Sequence, residues 1–239
     1  MSIYNLSSYE IKDNKRRLII PLGSLEQHGP HLPITTDTII AEYLANQISK
    51  KISSYVLPSI PYGVSYEHKP FFNISISNDL LSELLSQICI SLGENGFNYA
   101  IILNAHHGNM GVVQYVPQKV AKNNARLNIF GINYWPLIER EFDHAGFVET
   151  SLMLAIAPKL VRMEKAKRGY VDQKRLQSTY STFLNNPSSF KITKNGVLGD
   201  PTKASKIEGK KIISVTIKNL IRSIKELDEL LLLKKQSNF

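Results

Sequence analysis

Of the six histidines in this chain of 239 residues, four fall in two short segments: His28 and His31 within Gly23–Pro33, and His106 and His107 within Asn104–Asn109. Glu26 and His28 stand two apart, so an extended backbone points both side chains to one side, where they can bind adjacent metals. Asp37 follows at the expected start of a helix, where the helix dipole favours a carboxylate whose two oxygens can bridge two cations. Asp143, His144 and Glu149 add a third polar group just before another apolar stretch. Taken singly, Glu26 and Asp37 could be helix caps, and Glu26-x-His28 alone reads as structural. Joined by His106 and the Asp143–Glu149 group, the set combines imidazole and carboxylate in a way that suits Zn, Mn or Fe(II).

These residues need a frame that brings them together. Arg17–Leu22 is a short apolar run closed by Gly23, the length of a buried strand. From Asp37 to about Ser53, apolar residues at Ile40, Tyr43, Leu44, Ile48 and Ile52 form a helical stripe. Tyr55–Leu57 reads as a short strand and Ile74–Ile76 as a further extended segment. Leu80, Leu81, Leu84, Leu85, Ile88 and Leu92 line a helix that opens at Ser77-Asn-Asp79 and stops at Gly93 and Gly96. Then come a strand at Tyr99–Leu103, a helix over Met110–Asn123, a strand at Leu127–Ile132, a helix over Ser151–Ala157 and a long helix from Ile207 to about Leu233. The alternation predicts an α/β fold: one layered domain over residues 1–239, with a mostly parallel central sheet flanked by helices. Such sheets place ligands beyond the carboxyl ends of their strands. There the sequence places Glu26 and His28, His106 and His107, and Tyr134 and Trp135, after three different strands.

The segment Leu22-Gly-Ser-Leu-Glu-Gln-His-Gly-Pro-His-Leu-Pro-Ile-Thr-Thr-Asp37 resembles the N-terminal signature of the creatininase (creatinine amidohydrolase) family. Asn104-Ala-His-His-Gly-Asn109, His144-Ala-Gly-Phe-Val-Glu-Thr-Ser151 and Gly196-Val-Leu-Gly-Asp-Pro-Thr-Lys-Ala-Ser205 resemble three further family blocks, in the same order. The resemblance implies a layered creatininase-like α/β domain with a binuclear metal centre, commonly in a hexamer of paired subunits. By matching position, Glu26 and His106 would hold one divalent ion, His28 the other, and Asp37 would bridge them. Creatinine-cleaving members can carry a Glu where this chain has Gly108, so Glu149 is the candidate for the remaining carboxylate. Two divalent ions carry +4 against −3 from Glu26, Asp37 and Glu149, which leaves room for one hydroxide as nucleophile. His144 resembles the family's catalytic histidine, and a general acid that protonates the leaving nitrogen contributes typically about 10²–10⁴-fold. The alternative for His144 is a histidine that orients a ligand.

Family members cleave creatinine, formamidopyrimidine nucleotides or a peptide, and the leading expectation from the resemblance is hydrolysis of a non-peptide C–N bond in a cyclic amide, amidine or formamide. A formamidopyrimidine-nucleotide deformylase of flavin or deazaflavin biosynthesis is one alternative. Trp135 stands where the family often has a Trp against its substrate, and Tyr134 beside it is a further substrate-binding candidate. Arg140 stands where creatinine-cleaving members have a second Trp, which points to an anionic substrate held by a guanidinium. His31 reads as a hydrogen-bonded structural histidine, and His107 and Asp200 are left unassigned.

Composition narrows the classes further. With 43% hydrophobic and 21% charged residues, the chain can bury a core and is not compositionally disordered. The single Cys89 excludes an intrachain disulfide and, with an N-terminus that lacks a basic and apolar leader, points to the cytoplasm. No apolar run nears the roughly 20 residues that span a bilayer. Residues 1–120 hold 8 Lys/Arg against 9 Asp/Glu, and residues 121–239 hold 21 against 11, so the net charge of +9 comes entirely from the second half. A basic nucleic-acid-binding protein without catalysis is the alternative of another class. It is disfavoured because the lysines lie at intervals on expected helices without interleaved aromatics.

Overall fold

A computed structural model describes residues 2–11, 17–122, 127–171 and 192–236. Four parallel strands form one sheet in the order β2-β1-β3-β4, with β1 at Leu18–Leu22, β2 at Tyr55–Val56, β3 at Tyr99–Asn104 and β4 at Asn128–Asn133. Leu22 pairs with Asn104 and Asn104 with Asn133, so β1, β3 and β4 end in one row. Every strand of the row therefore releases its following loop at the same edge.

The alternating side chains of β1 and β3 fill two cores. Ile19, Ile101 and Leu103 pack with residues of α1 (Thr36–Ile52), α4 (Phe147–Ile156) and α5 (Lys206–Gln236), among them Ile40, Leu44, Leu152 and Leu220. Leu18, Ile20, Ala100 and Ile102 pack on the other face with α2 (Asn78–Glu94) and α3 (Met110–Ala121), through Leu81, Leu85, Cys89, Val113 and Val116. A sheet covered on both faces needs near-continuous apolar strands, as these are. Fully burying one such side chain contributes about 1.5–3 kcal/mol. The expected α/β layering with a parallel sheet is the architecture observed, and Cys89 is a fully buried core residue.

Pro21 sits inside β1, where a missing N–H normally breaks a ladder. Its carbonyl accepts from Ile60 N–H on the β2 side, and β2 pairs only with Leu18 and Ile19. The absent donor thus points past the end of β2, where only a single bridge, Leu22 with Ile60, follows among the described residues.

Two expectations need correction. Ile74–Ile76 is not a strand: single bridges join Ser75 to Gly63 and Asn73 to Glu26. The helix expected from Ser151 begins at Phe147, because Glu149 reaches back to accept from Ala145 N–H at 2.6 Å and Asp143 accepts from Val148 N–H at 3.1 Å. Asp143 thereby satisfies an N–H group of the first turn that would otherwise lack a partner, and Glu149 ties that turn to the residue just before the N-cap. The helix after β3 ends at Ala121, and Asn123, its expected end, lies outside the described residues. α5 packs along α4 at Gly209, where a Cβ would stand 1.8 Å from the Ser151 carbonyl oxygen. Among the described residues no helix is long and apolar enough to cross a membrane.

Candidate metal centre

The loop after β1 carries Glu26, Gln27 and His28, the loop after β3 carries His106, and the first turns of α1 and α4 supply Asp37 and Glu149. Asn109 ties these pieces together. Its amide donates to the Gly23 carbonyl at 2.9 Å and its Oδ1 accepts from Val64 N–H at 2.9 Å. Asn104 fixes the His106 backbone from both sides, accepting from its N–H at 3.1 Å and donating to its carbonyl at 2.8 Å. The late block closes the other flank, since His144 and Leu198 exchange both backbone hydrogen bonds.

Asp37 lies between two groups of donors. Its Oδ1 is 3.1 Å from His28 Nε2, and its Oδ2 is 3.1 Å from His106 Nδ1. His28 Nε2 lies 3.6 Å from Glu149 Oε2, and His106 Nδ1 lies 3.2 Å from Glu26 Oε1. The structure thus brings Glu26, His28, Asp37, His106 and Glu149 into one buried cluster, with His144 beside them. The rings of His28 and His144 are 4.4 Å apart, and His144 Nδ1 is 3.9 Å from Glu149 Oε2.

Two members of the cluster escaped the sequence reading. His68 Nε2 is 3.0 Å from Glu26 Oε1, and Glu67 Oε1 lies 3.6 Å from His106 Nε2. Both stand on a short 3-10 turn, Tyr66–His68, between β2 and α2. Adjacent Glu and His in a loop was the available signal, weaker than Glu26-x-His28 because no predicted strand aims it at the same edge.

Other expected residues are arranged differently. Tyr134 is fully buried, and its hydroxyl has no hydrogen-bond partner among the described residues. Trp135 packs against His107 at 5.3 Å and Phe142 at 6.0 Å between ring centroids, an aromatic wall following β4. Arg140 is not gathered into the cluster: it pairs with Glu208 of α5 at 2.9 Å and lies over the Phe147 ring. An acidic partner from a distant helix captures the guanidinium that was expected to meet an anionic substrate. His31 is buried and hydrogen-bonded to Thr150 Oγ1 at 2.8 Å, and Asp200 is an N-cap that accepts from Thr202 N–H.

The electrostatics follow from burial and crowding. Burial alone would push the Glu26 carboxyl up, but the imidazoles of His106 and His68 outweigh it and hold it well below its usual range. Burial would lower His28 and His106, yet neighbouring carboxylates (Asp37 and Glu149 for His28, Glu26 and Asp37 for His106) raise both well above the ordinary imidazole value. Burial, then the charges of His28 and His68, holds His144 well below it. Burial raises Glu149, helped by Asp37. Asp143 is pushed up to about 8 by burial and then by Glu149.

Such a set fits divalent cations. Glu26, Asp37 and Glu149 are almost wholly buried, and their ion-pair partners among the described residues are imidazoles rather than lysine or arginine. Several buried carboxylates without a strong cation are costly, by several kcal/mol per uncompensated ion. Among the described residues Glu26 Oε2 has no hydrogen-bond partner, which leaves a buried anionic oxygen open to a metal. Donor atoms of His28, Asp37 and Glu149 lie within 4.8 Å of one another, as do those of Glu26, Glu67, His68 and His106.

Comparison with known proteins places the chain in a family. The mycofactocin precursor peptide peptidase of Mycobacterium tuberculosis is 30% identical over 91% of this chain and 88% of its own. The creatinine amidohydrolase of Pseudomonas putida is 24% identical over 87% and 88%. The 2-amino-5-formylamino-6-ribosylaminopyrimidin-4(3H)-one 5'-monophosphate deformylase of Methanothermus fervidus is 29% identical over 87% and 83%. A manganese form of creatininase superposes with a TM-score of 0.81 over 94% of this chain and 97% of that one, at 20% identity. A Zn-Zn form of a creatininase variant does so at 0.78, over 94% and 97%, at 21% identity. The family profile described as creatinine amidohydrolase matches residues 4–224, and this chain belongs to the creatininase family of amidohydrolases.

Proposed function

We propose that this protein hydrolyses a C–N bond of an amide, amidine or formamide with two divalent ions, Glu26 and His106 holding one, His28 and Glu149 the other, and Asp37 bridging. The observation that carries this reading is the double engagement of Asp37, whose two oxygens each lie 3.1 Å from an imidazole of a different donor group. The nitrogen and oxygen donors suit Zn first and Mn or Fe(II) next, and manganese and zinc forms exist among the related creatininase structures. Ions held in such a site would polarise a carbonyl and lower the pKa of a bound water towards about 7.

The side chains then divide the work. His144 is neutral in its buried pocket, so it must take a proton before it can give one. Its Nε2 lies 3.1 Å from the Gln27 carbonyl, which accepts an Nε2–H and leaves Nδ1 facing Glu149. At Nδ1 it takes the proton of the attacking water and returns it to the leaving nitrogen as the C–N bond breaks. Glu149 stabilises the imidazolium while the proton is held, and in that sense shares the catalytic work. Trp135, with the His107 and Phe142 rings tilted against it, would offer aromatic surface to the substrate, and Tyr134 packs behind Trp135. Because Glu208 occupies Arg140, a neutral flat substrate fits better than an anionic one.

A peptide amide is a second reading, favoured by relatives named as mycofactocin precursor peptide peptidases at 29–30% identity over 87–91% of this chain. We extend the proposal to a cytoplasmic homo-oligomer, the hexamer of paired subunits that the family resemblance implies. The test is metal-reconstituted protein assayed on creatinine, a formamidopyrimidine and short peptides. Two ions per chain, lost to a chelator together with hydrolysis, are expected; turnover that survives complete metal removal would overturn the reading.

A further inference from the structure

By distance alone His68 belongs with the metal ligands, because its Nε2 is 3.0 Å from Glu26 Oε1 and it is almost fully buried. The hydrogen-bond network argues otherwise. Gln27 Oε1 accepts from Gly29 N–H at 2.9 Å, and Gln27 Nε2 donates to the Gly196 carbonyl at 3.0 Å. A backbone donor on one side and a backbone acceptor on the other fix which end of this amide is nitrogen.

Gln27 Nε2 has one hydrogen left and two imidazole nitrogens in reach, His68 Nδ1 and His144 Nε2, each at 3.1 Å. His144 Nε2 also lies 3.1 Å from the Gln27 backbone carbonyl, which needs a donor. One assignment satisfies these contacts together: His144 Nε2–H donates to that carbonyl, and the Gln27 amide donates to His68 Nδ1. His68 then accepts at Nδ1 and carries its proton on Nε2, aimed at Glu26 Oε1. A nitrogen bearing that hydrogen has no lone pair for a metal.

We infer that His68 is a positioning residue rather than a ligand, the last member of a relay from Gly29 N–H through Gln27 to the Glu26 carboxylate. Held by His68, the Glu26 carboxylate would stay set beside His106 Nδ1 for an ion, with Oε2 left without a hydrogen-bond partner among the described residues. The relay sets two parts of the centre through one amide, since Gln27 fixes the tautomer of His68 with its side chain and that of His144 with its carbonyl. The inference rests on the two-ion reading for its consequence and on hydrogen-bond geometry for its content.

Two measurements on the full chain test it. Zinc is titrated into wild type, His68→Gln and His68→Ala after metal removal. A positioning role predicts that His68→Gln, which keeps an N–H donor, binds within about threefold of wild type, while His68→Ala weakens one ion about 10–100-fold. Equal loss of an ion in both variants would make His68 a ligand, and wild-type affinity in both would remove it from the centre. Long-range ¹H–¹⁵N NMR of the wild type with and without zinc, assigned against His68→Gln, reads the tautomer directly. A proton on Nε2 in both states is expected, and a proton on Nδ1 would overturn the relay. Should the wild type take up no zinc, the metal reading falls, while the tautomer in the metal-free protein still decides the relay.

Discussion

Glu26, His28 and His106 leave the sheet at the carboxyl ends of β1 and β3, whereas Glu67 and His68 stand on a one-turn segment between β2 and α2 that no strand extends. The first group is set by strand register: Leu22 opposite Asn104 brings the two loops level before any side chain makes a contact. The second is set by polar side chains, through Asn109 on Val64 N–H, Ser75 Oγ on Ser65 N–H and Gln27 on His68. Strand edges, where main-chain ladders do the positioning, can present bare ligand atoms. The turn needs its histidine's hydrogen bonds to stay in place, which suits it to orient a ligand from behind.

That contrast ranks the effects of substitution. Asp37→Ala removes the contact between the two donor groups and is expected to lose both ions and all metal-dependent turnover; Glu149→Ala should weaken chiefly one. Elemental analysis decides, and full occupancy in Asp37→Ala, or a loss no larger than in His68→Ala, would erase the difference between edge and turn. Next comes His144→Ala, which should keep both ions and lower turnover by about 10²–10⁴-fold, the usual worth of a general acid–base group. Loss of an ion from that variant would move His144 into the ligand set.

The smallest effect is on stability. Burial, then the charge of His28, holds His31 at about 4, against about 6.5 in an unfolded chain. Between these values the unfolded chain binds a proton that the folded one refuses. Stability contributed by neutral His31 is therefore complete above pH 6.5 and is lost as pH falls towards 4. Denaturant titrations from pH 7.5 to 4.5 should show a shallower fall in His31→Asn, by up to about 1.4 kcal/mol per pH unit. Parallel slopes would mean that His31 titrates normally.

Much of the frame was legible because it is periodic and local. The apolar runs around Ile19–Leu22 and Ala100–Leu103 announced strands, and with them the edge where Glu26 and His106 emerge. The start of α4 was misread because the residues that begin it, Gly146 and Phe147, carry no ordinary cap. The capping is done backwards by Glu149, a residue first noticed for its chemistry. Arg140 could not be read at all: its partner Glu208 is adjacent only once α5 lies along α4. His68 stayed hidden for the same reason, since Gln27 and Glu26 are its neighbours in space and not in sequence.

The crossing of α5 over α4 at Gly209 has a consequence for the chemistry far from any reacting atom. With the Ser151 carbonyl 1.8 Å from where a Cβ would stand, even a methyl group there would force the helices apart. Glu149 rides on the same helix, one turn or less from Ser151. The missing side chain at Gly209 is thus a gauge block for the candidate centre: it lets the helix that carries Glu149 lie close under its neighbour, and a drift in helix spacing would shift that carboxylate relative to His28.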